Sequence, residues 1–305
     1  MMFRVNSKLT KSISNISLKK RLSIVYYLLV FILSSHLSIG QNMVFDRLTR
    51  QDGLPTNNVS DIVQDDQGFM WFGTRNGLIR FDGYSYKKYT YSPLDTFTVS
   101  DNYISCLLKL KNGKILIGTN FAGFCIYDPQ LERFDRYQIN AAKAGPHSNN
   151  ILTATQDSSG IVWIGTWNGF AKFDPNSAEI QHYSVPRKNV KFLGTNYVSS
   201  IVPSPDGKLW LYSPGNRVCQ YDPANHQFKF IPFAENANGQ ILLNKGGVLL
   251  LDNQDNLWIG TEFDGLFKLN IKTKKIHKYS LMNKSIASNV ITDLFLDQAG
   301  IIWVG

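Results

Sequence analysis

Histidine and cysteine, the side chains that most often carry metal or nucleophilic chemistry, are scarce here: 5 histidines and 3 cysteines in 305 residues. Cys106, Cys125 and Cys219 are odd in number and widely spaced, which fits neither a disulfide framework nor a metal site. Each lies in an apolar run, so burial as a small hydrophobe is the expected role. His36 belongs to the amino-terminal segment, and His147, His182, His226 and His277 are isolated from one another. The chain also lacks a Gly-rich phosphate loop, a His-x-x-x-His pair and a nucleophile elbow. No catalytic residue, no metal and no cofactor is expected.

Acidic residues are absent from residues 1–40, and that local lack explains the charge. The formal net charge of +9 invites a nucleic-acid partner. Six of the basic residues, Arg4, Lys8, Lys11, Lys19, Lys20 and Arg21, fall in that segment, leaving 26 basic against 23 acidic residues beyond it. No lysine–arginine stripe remains to form a phosphate-binding face, so nucleic acid is not an expected partner. The same segment has a basic start, an apolar run from Leu22 to Leu33, and small residues Ser38 and Gly40 before Gln41. That order is the pattern of a secretory signal peptide over 1–40, with an uncleaved anchor helix as the alternative. No second apolar run of spanning length follows, and helical periodicity is absent beyond the leader.

What is present is repetition. Asp66-Gln67-Gly68-Phe69-Met70-Trp71-Phe72-Gly73-Thr74 returns as Asp157-Ser158-Ser159-Gly160-Ile161-Val162-Trp163-Ile164-Gly165-Thr166, and less completely elsewhere. The position of Gly73 recurs at 118, 165, 212, 260 and 305, spaced by 45, 47, 47, 48 and 45 residues. The tryptophans Trp71, Trp163, Trp210, Trp258 and Trp303 and the glycines Gly73, Gly165 and Gly260 mark the frame. Each unit holds an apolar run before the tryptophan, the tryptophan run itself, a Gly-to-Asp run such as Gly77–Asp82, and a polar run ending in an aromatic such as Phe134–Tyr137. Four short strands per period, parted by Gly, Asn, Asp and Pro turn signals, are the arithmetic of a β-propeller blade. Fold class is therefore all-β, with strands a to d in each blade, tight Asp-Gly turns between a and b, and tryptophans wedged between blades.

The repeat resembles that of two-component-regulator propellers, with its Asp-x-x-Gly-x-x-Trp-x-Gly-Thr core, and Gly53-Leu54-Pro55-Thr56-Asn57-Asn58-Val59 resembles the opening found before the first such repeat. The likeness covers residues 44 to 305, with units near 54–91, 100–139, 147–185, 196–232, 244–281 and 288–305 in a sensor domain spanning 41–305. Departures are Leu116 in place of Trp, Tyr212-Ser213 in place of Gly-Thr, and a loosened start to the fifth unit at Asn244–Gly247. The resemblance implies the periplasmic sensor of a hybrid histidine kinase that binds an oligosaccharide and signals as a homodimer anchored in the inner membrane. Kinase, receiver and DNA-binding parts are implied elsewhere in such proteins. Val44–Leu48 reads as an outer strand without its partners, and the sixth unit stops after Trp303-Val304-Gly305, so five full blades plus pieces are expected, with an exposed, aggregation-prone edge.

In a propeller the b–c and d–a connections share one face. The b–c residues Arg75, Asn76, Asn120, Phe121, Trp167, Asn168, Glu262 and Asp264, with Pro214–Asn216, mix aromatic rings with amides and charges. Rings that stack on apolar sugar faces, beside planar hydrogen-bonding groups, suit an oligosaccharide. The recurring aspartates also resemble the Asp-boxes of sialidases, which are structural turns. A secreted glycosidase or lyase and a protein-binding scaffold remain as alternatives at this point.

Overall fold

The computed structural model describes residues 58–186, 196–213, 217–231 and 247–305, together with Leu54 and Thr56. The signal-peptide segment, Val44–Leu48 and the connection Pro214–Asn216 lie outside the described residues.

Apolar residues alternate or run continuously through short segments, and each such segment pairs antiparallel with its neighbour in sequence. The first blade contains β1 (Val59–Gln64), β2 (Met70–Thr74), β3 (Gly77–Phe81) and β4 (Tyr86–Tyr89) in that order. The second is β5 (Ile104–Lys109), β6 (Ile115–Thr119), β7 (Phe124–Asp128) and β8 (Arg133–Tyr137). The third is β9 (Ile151–Gln156), β10 (Val162–Thr166), β11 (Phe170–Phe173) and β12 (Ile180–Tyr183). The fourth is β13 (Ser200–Pro203), β14 (Leu209–Ser213), β15 (Arg217–Asp222) and β16 (Gln227–Phe230). The fifth is β17 (Val248–Leu251), β18 (Asn256–Gly260), β19 (Leu266–Asn270) and β20 (Ile276–Tyr279). A sixth sheet pairs β21 (Leu294–Leu296) with β22 (Ile302–Val304). Each first strand lies against the next one around, β1 on β5, β5 on β9, β9 on β13, β13 on β17 and β17 on β21, so the sheets fan about a shared axis. The fold is a β-propeller. One departure from an all-strand chain is a single helical turn, Ala141–Ala144, in the d–a connection after the second blade, where Asn140 Oδ1 accepts from Ala142 N at 3.1 Å.

The tryptophans explain the cohesion of the fan. Trp71 is fully buried among Leu107, Ile115, Ile117 and Tyr127 of the second blade, and Trp163 among Leu209, Leu211 and Tyr221 of the fourth. Trp210 packs on Leu249, Leu257 and Ile259 of the fifth, and Trp258 on Leu294 and Ile302 of the sixth. Each indole thus belongs to one blade and to the core of the next. Burying one such ring contributes on the order of 2–3 kcal/mol.

An aspartate six residues earlier fixes four of the repeat indoles. Trp71 Nε1 donates to Asp65 Oδ2 at 2.7 Å, Trp163 to Asp157 at 2.8 Å, Trp258 to Asp252 at 2.8 Å and Trp303 to Asp297 at 2.9 Å. The other carboxylate oxygen caps the a–b turn: Asp65 Oδ1 accepts from Gln67 N at 3.0 Å and Phe69 N at 2.9 Å. Gly68 completes that turn at φ 89°, a backbone region open to glycine. In two blades the aspartate nearer the tryptophan in sequence is not the one in this position. Asp255 occupies the turn-glycine place at φ 59°, and Asp252 holds the indole. Asp206 is likewise two residues too late, and the place of the aspartate is taken by Ser204, leaving the buried Trp210 Nε1 without a partner. In the second blade Leu110 and Leu116 replace aspartate and tryptophan together, and both are buried, so polar donor and acceptor are lost as a pair.

Candidate functional site

Every described b–c connection is clamped by the threonine that follows the repeat glycine. Its hydroxyl donates to the glycine carbonyl across the turn, Thr74 to Gly77 at 2.7 Å, Thr119 to Gly123 at 2.7 Å, Thr166 to Gly169 at 3.1 Å and Thr261 to Gly265 at 2.8 Å. The same hydroxyls accept from Asn76 N, Ala122 N, Asn168 N and Asp264 N. A second tie joins neighbouring blades. Gly77 N donates to Asn102 O at 2.7 Å, Gly123 N to Asn149 O at 2.9 Å, Gly169 N to Asn196 O at 2.5 Å and Gly265 N to Asn289 O at 3.0 Å. Each b–c turn is therefore bonded to the d–a connection of the next blade, and side chains from both project from one built surface.

On the first two blades that surface carries a stack. Arg75 is exposed with its guanidinium carbon 5.1 Å from the Tyr103 ring centroid, and Phe121 meets the same ring edge-on at 6.3 Å. Asn120 N donates to Tyr103 O at 3.0 Å, which ties the loop holding Phe121 to the tyrosine beneath it. Neither the Arg75 guanidinium nor the side-chain amides of Asn76 and Asn120 bond to a described residue. Phe121 is 64% exposed.

The third to fifth blades differ in character. Trp167, 40% exposed, is tilted 6.0 Å from Tyr197. Asn168 is committed to the scaffold, its Nδ2 donating to Ala144 O at 2.8 Å and its carbonyl meeting His182 Nε2. Asp264 is paired with Lys278 at 3.5 Å. Glu262 is half-buried, and burial together with its charge pushes the Tyr197 phenol up to about 12. Burial also raises Tyr212, with Tyr197, Asp264 and Glu262 adding to it. The eight expected residues thus fall on one face in two groups. Tyr103 and Tyr197, which carry Arg75 and Trp167, are not among the eight. Their signal in sequence is the residue after the recurring asparagine of the d–a connection, as in Asn102-Tyr103-Ile104 and Asn196-Tyr197-Val198.

Cys106, Cys125 and Cys219 are buried free thiols, and burial pushes Cys106 and Cys125 up to about 12. His226 Nδ1 bonds the Tyr221 hydroxyl at 2.8 Å, and His277 lies against Tyr279. Among the described residues no group of His, Cys, Asp and Glu is arranged to hold a metal ion, and no helix is long and apolar enough to cross a membrane.

Taken together, radial four-stranded sheets with Asp–Trp pins and Thr-clamped turns define a repeat propeller with a loop face. The sequence profile of the two-component regulator propeller matches residues 53–76 and 145–168. A 61-residue stretch is 44% identical to Histidine kinase P4 of Formosa agariphila, over 20% of this chain and 4% of that protein. The extracellular domain of the putative hybrid two-component system BT3049 from B. thetaiotaomicron superposes with a TM-score of 0.55 at 22% identity, covering 85% of this chain and 40% of that one. PorZ, a surface component of the type-IX secretion system of Porphyromonas gingivalis, superposes at 0.65 and 17% identity, again covering 85% and 40%. At those identities the two structures share the fold, and this chain spans well under half of each.

Proposed function

We propose that this chain is the sensor propeller of an exported two-component regulator and that it binds an oligosaccharide on the face of its b–c connections. The observation that carries the reading is the combination on that face of exposed rings and uncommitted polar groups. Phe121, Trp167 and Phe263 are 64%, 40% and 54% exposed, beside polar groups on Arg75, Asn76 and Asn120 that bond to none of the described residues. Rings are exposed elsewhere too, Tyr84 at 98% and Phe295 at 62%, but those on the b–c connections stand on clamped turns beside polar side chains, which favours a ligand with apolar faces and hydroxyl edges. The two-component repeats favour a sensing role, and the leader over residues 1–40 favours export to the periplasm. In this reading the propeller belongs to a longer, membrane-anchored protein that signals as a homodimer.

The test is a glycan array probed with the full chain, followed by calorimetry on the hits. Binding is expected, with affinity reduced about tenfold or more in Phe121→Ala and Trp167→Ala, since an aromatic stack contributes roughly 1 kcal/mol or more. Folded protein that binds no oligosaccharide, or hits indifferent to both substitutions, would overturn the reading. Amino-terminal sequencing of exported protein is expected to begin at Gln41.

A further inference from the structure

The loop face is not uniform in charge. At the fifth blade its acids are Glu262 and Asp264, the latter matched by Lys278. On the first two blades it carries the exposed Arg75 guanidinium and, two residues before Tyr103, the partly buried carboxylate of Asp101. Arg75 makes no ion pair with any described residue. Asp101, the closest acid to Tyr103 in the chain, has its Oδ1 accepting from Tyr103 N at 3.0 Å. The guanidinium is nevertheless not a loose surface group: it lies over the Tyr103 ring at 5.1 Å, and that tyrosine is fixed through its carbonyl to Asn120 N and by its neighbour Asn102 to Gly77 N. An arginine whose cation rests over a ring keeps N–H groups for other partners, and two of them can meet two oxygens of one carboxylate or sulfate group. Beside it stand the amides of Asn76 and Asn120, which bond to none of the described residues, and the exposed ring of Phe121, 6.3 Å from Tyr103.

We propose that Arg75, Asn76, Asn120 and Phe121 form a subsite for an acidic sugar, Arg75 taking the carboxylate or sulfate oxygens, the amides the neighbouring hydroxyls and Phe121 the ring face. This rests on the oligosaccharide reading above and narrows it to glycans that carry an oxyanion. A neutral sugar would leave the guanidinium, which pairs with no carboxylate of the described residues, without an ionic partner in the contact, whereas an acidic one supplies it. The bond is exposed, so it is sensitive to added salt.

The test uses the full chain against three sets of oligosaccharides of matched length: neutral, uronate-containing and sulfated. Binding is expected in one or both acidic sets, weakened by salt. Arg75→Gln is expected to lower that affinity roughly tenfold to a hundredfold, the range of a charge-assisted pair, and Arg75→Lys to recover part of it. Because Arg75 is exposed, thermal unfolding of both variants should match the parent. Uronates without sulfates, or the reverse, identify the group bound. Binding confined to neutral glycans, or acidic glycans bound equally well by Arg75→Gln, overturns the acidic subsite and leaves the oligosaccharide reading standing. Absence of binding in all three sets by folded protein overturns both.

Discussion

The ring of Tyr212 packs directly over Gly247, and a Cβ added to that glycine would fall on the ring atoms Cε2 and Cζ. At the other joints the bulk is on the opposite side. A Cβ on Gly73 would stand 3.0 Å from Ile104 Cγ2, one on Gly118 2.7 Å from Ile151 Cγ2, and one on Gly260 2.5 Å from Ile291 Cγ2. Glycine at the end of a blade's second strand lets the branched residue opening the next blade come close. Between the fourth and fifth blades the large residue has moved to the second strand and the glycine to the opening of the next blade, where its carbonyl accepts from Ser199 Oγ at 2.9 Å.

That exchange predicts coupling. Gly247→Ile should cost about 1–3 kcal/mol through overpacking, and Tyr212→Gly about 3–5 kcal/mol through the space it empties. The double variant Tyr212→Gly/Gly247→Ile restores the arrangement of the other joints and should lose at least about 1 kcal/mol less than the sum of the corresponding singles. Urea denaturation of the four proteins measures it. Strict additivity would show that the two positions are independent.

Blade architecture was legible because one pattern is written six times, and errors in any one copy are outvoted. The exchange was not legible for the same reason. Tyr212 and the glycine at 247 each read as decay of the repeat when taken alone, and only their contact shows that one compensates for the other. The bond to the indole was not legible for a different cause. Asp66, Asp206 and Asp255 read as turn aspartates, but a carboxylate must sit six residues before the tryptophan to reach its Nε1, and in those three blades that position is Asp65, Ser204 and Asp252. The eight loop residues were placed on one face by strand count alone. Which of them had spare hydrogen-bonding capacity depended on Tyr103, Ala144 and Lys278, contacts across blades or loops that spacing does not reveal.

The aspartate pins give the propeller a predictable response to acid. Burial would raise Asp252, but bonds from Trp258 Nε1, Asn256 and backbone amides outweigh it and hold the carboxyl below its usual range. A group with a depressed folded-state pKa contributes stability that is complete above the unfolded value, near 4, and is lost as pH falls through the lower folded value. Asp252→Asn keeps the turn-capping oxygen and loses the acceptor for Trp258, so it should cost about 1–2 kcal/mol at pH 7. The difference between parent and variant should shrink as pH falls from about 4 toward 3 in parallel urea titrations. A difference that stays constant, or widens, would remove the pin from the account.

Trp210 offers the converse case. Its Nε1 is buried without a partner because Ser204 is too short to reach it. Ser204→Asp supplies the acceptor found in the first, third and fifth blades, and an unmade buried bond costs about 1–3 kcal/mol. The melting temperature should rise by about 2–4 °C for each kcal/mol regained in a domain of this size. In a Trp210→Phe background the same substitution has no indole to meet, and the gain should vanish. An equal rise in both backgrounds would assign it to the turn and not to the indole.

Thr119 connects the stability of the scaffold to the loop face. Its hydroxyl donates to Gly123 O at 2.7 Å and accepts from Ala122 N at 3.2 Å, bracketing the turn that presents Asn120 and Phe121. Thr119→Val has nearly the same shape and neither bond. Gly123 O keeps one donor, Thr119 N at 2.9 Å, while Ala122 N is left with none. A loss of about 1–2 kcal/mol is therefore expected for valine and less for Thr119→Ser, which retains the hydroxyl. Amide hydrogen exchange provides the local reading: Ala122 N should exchange faster in the valine variant and at the parental rate in the serine variant. If the two variants proved equal in both measurements, the methyl packing of the threonine, and not its hydroxyl, would be what shapes the turn.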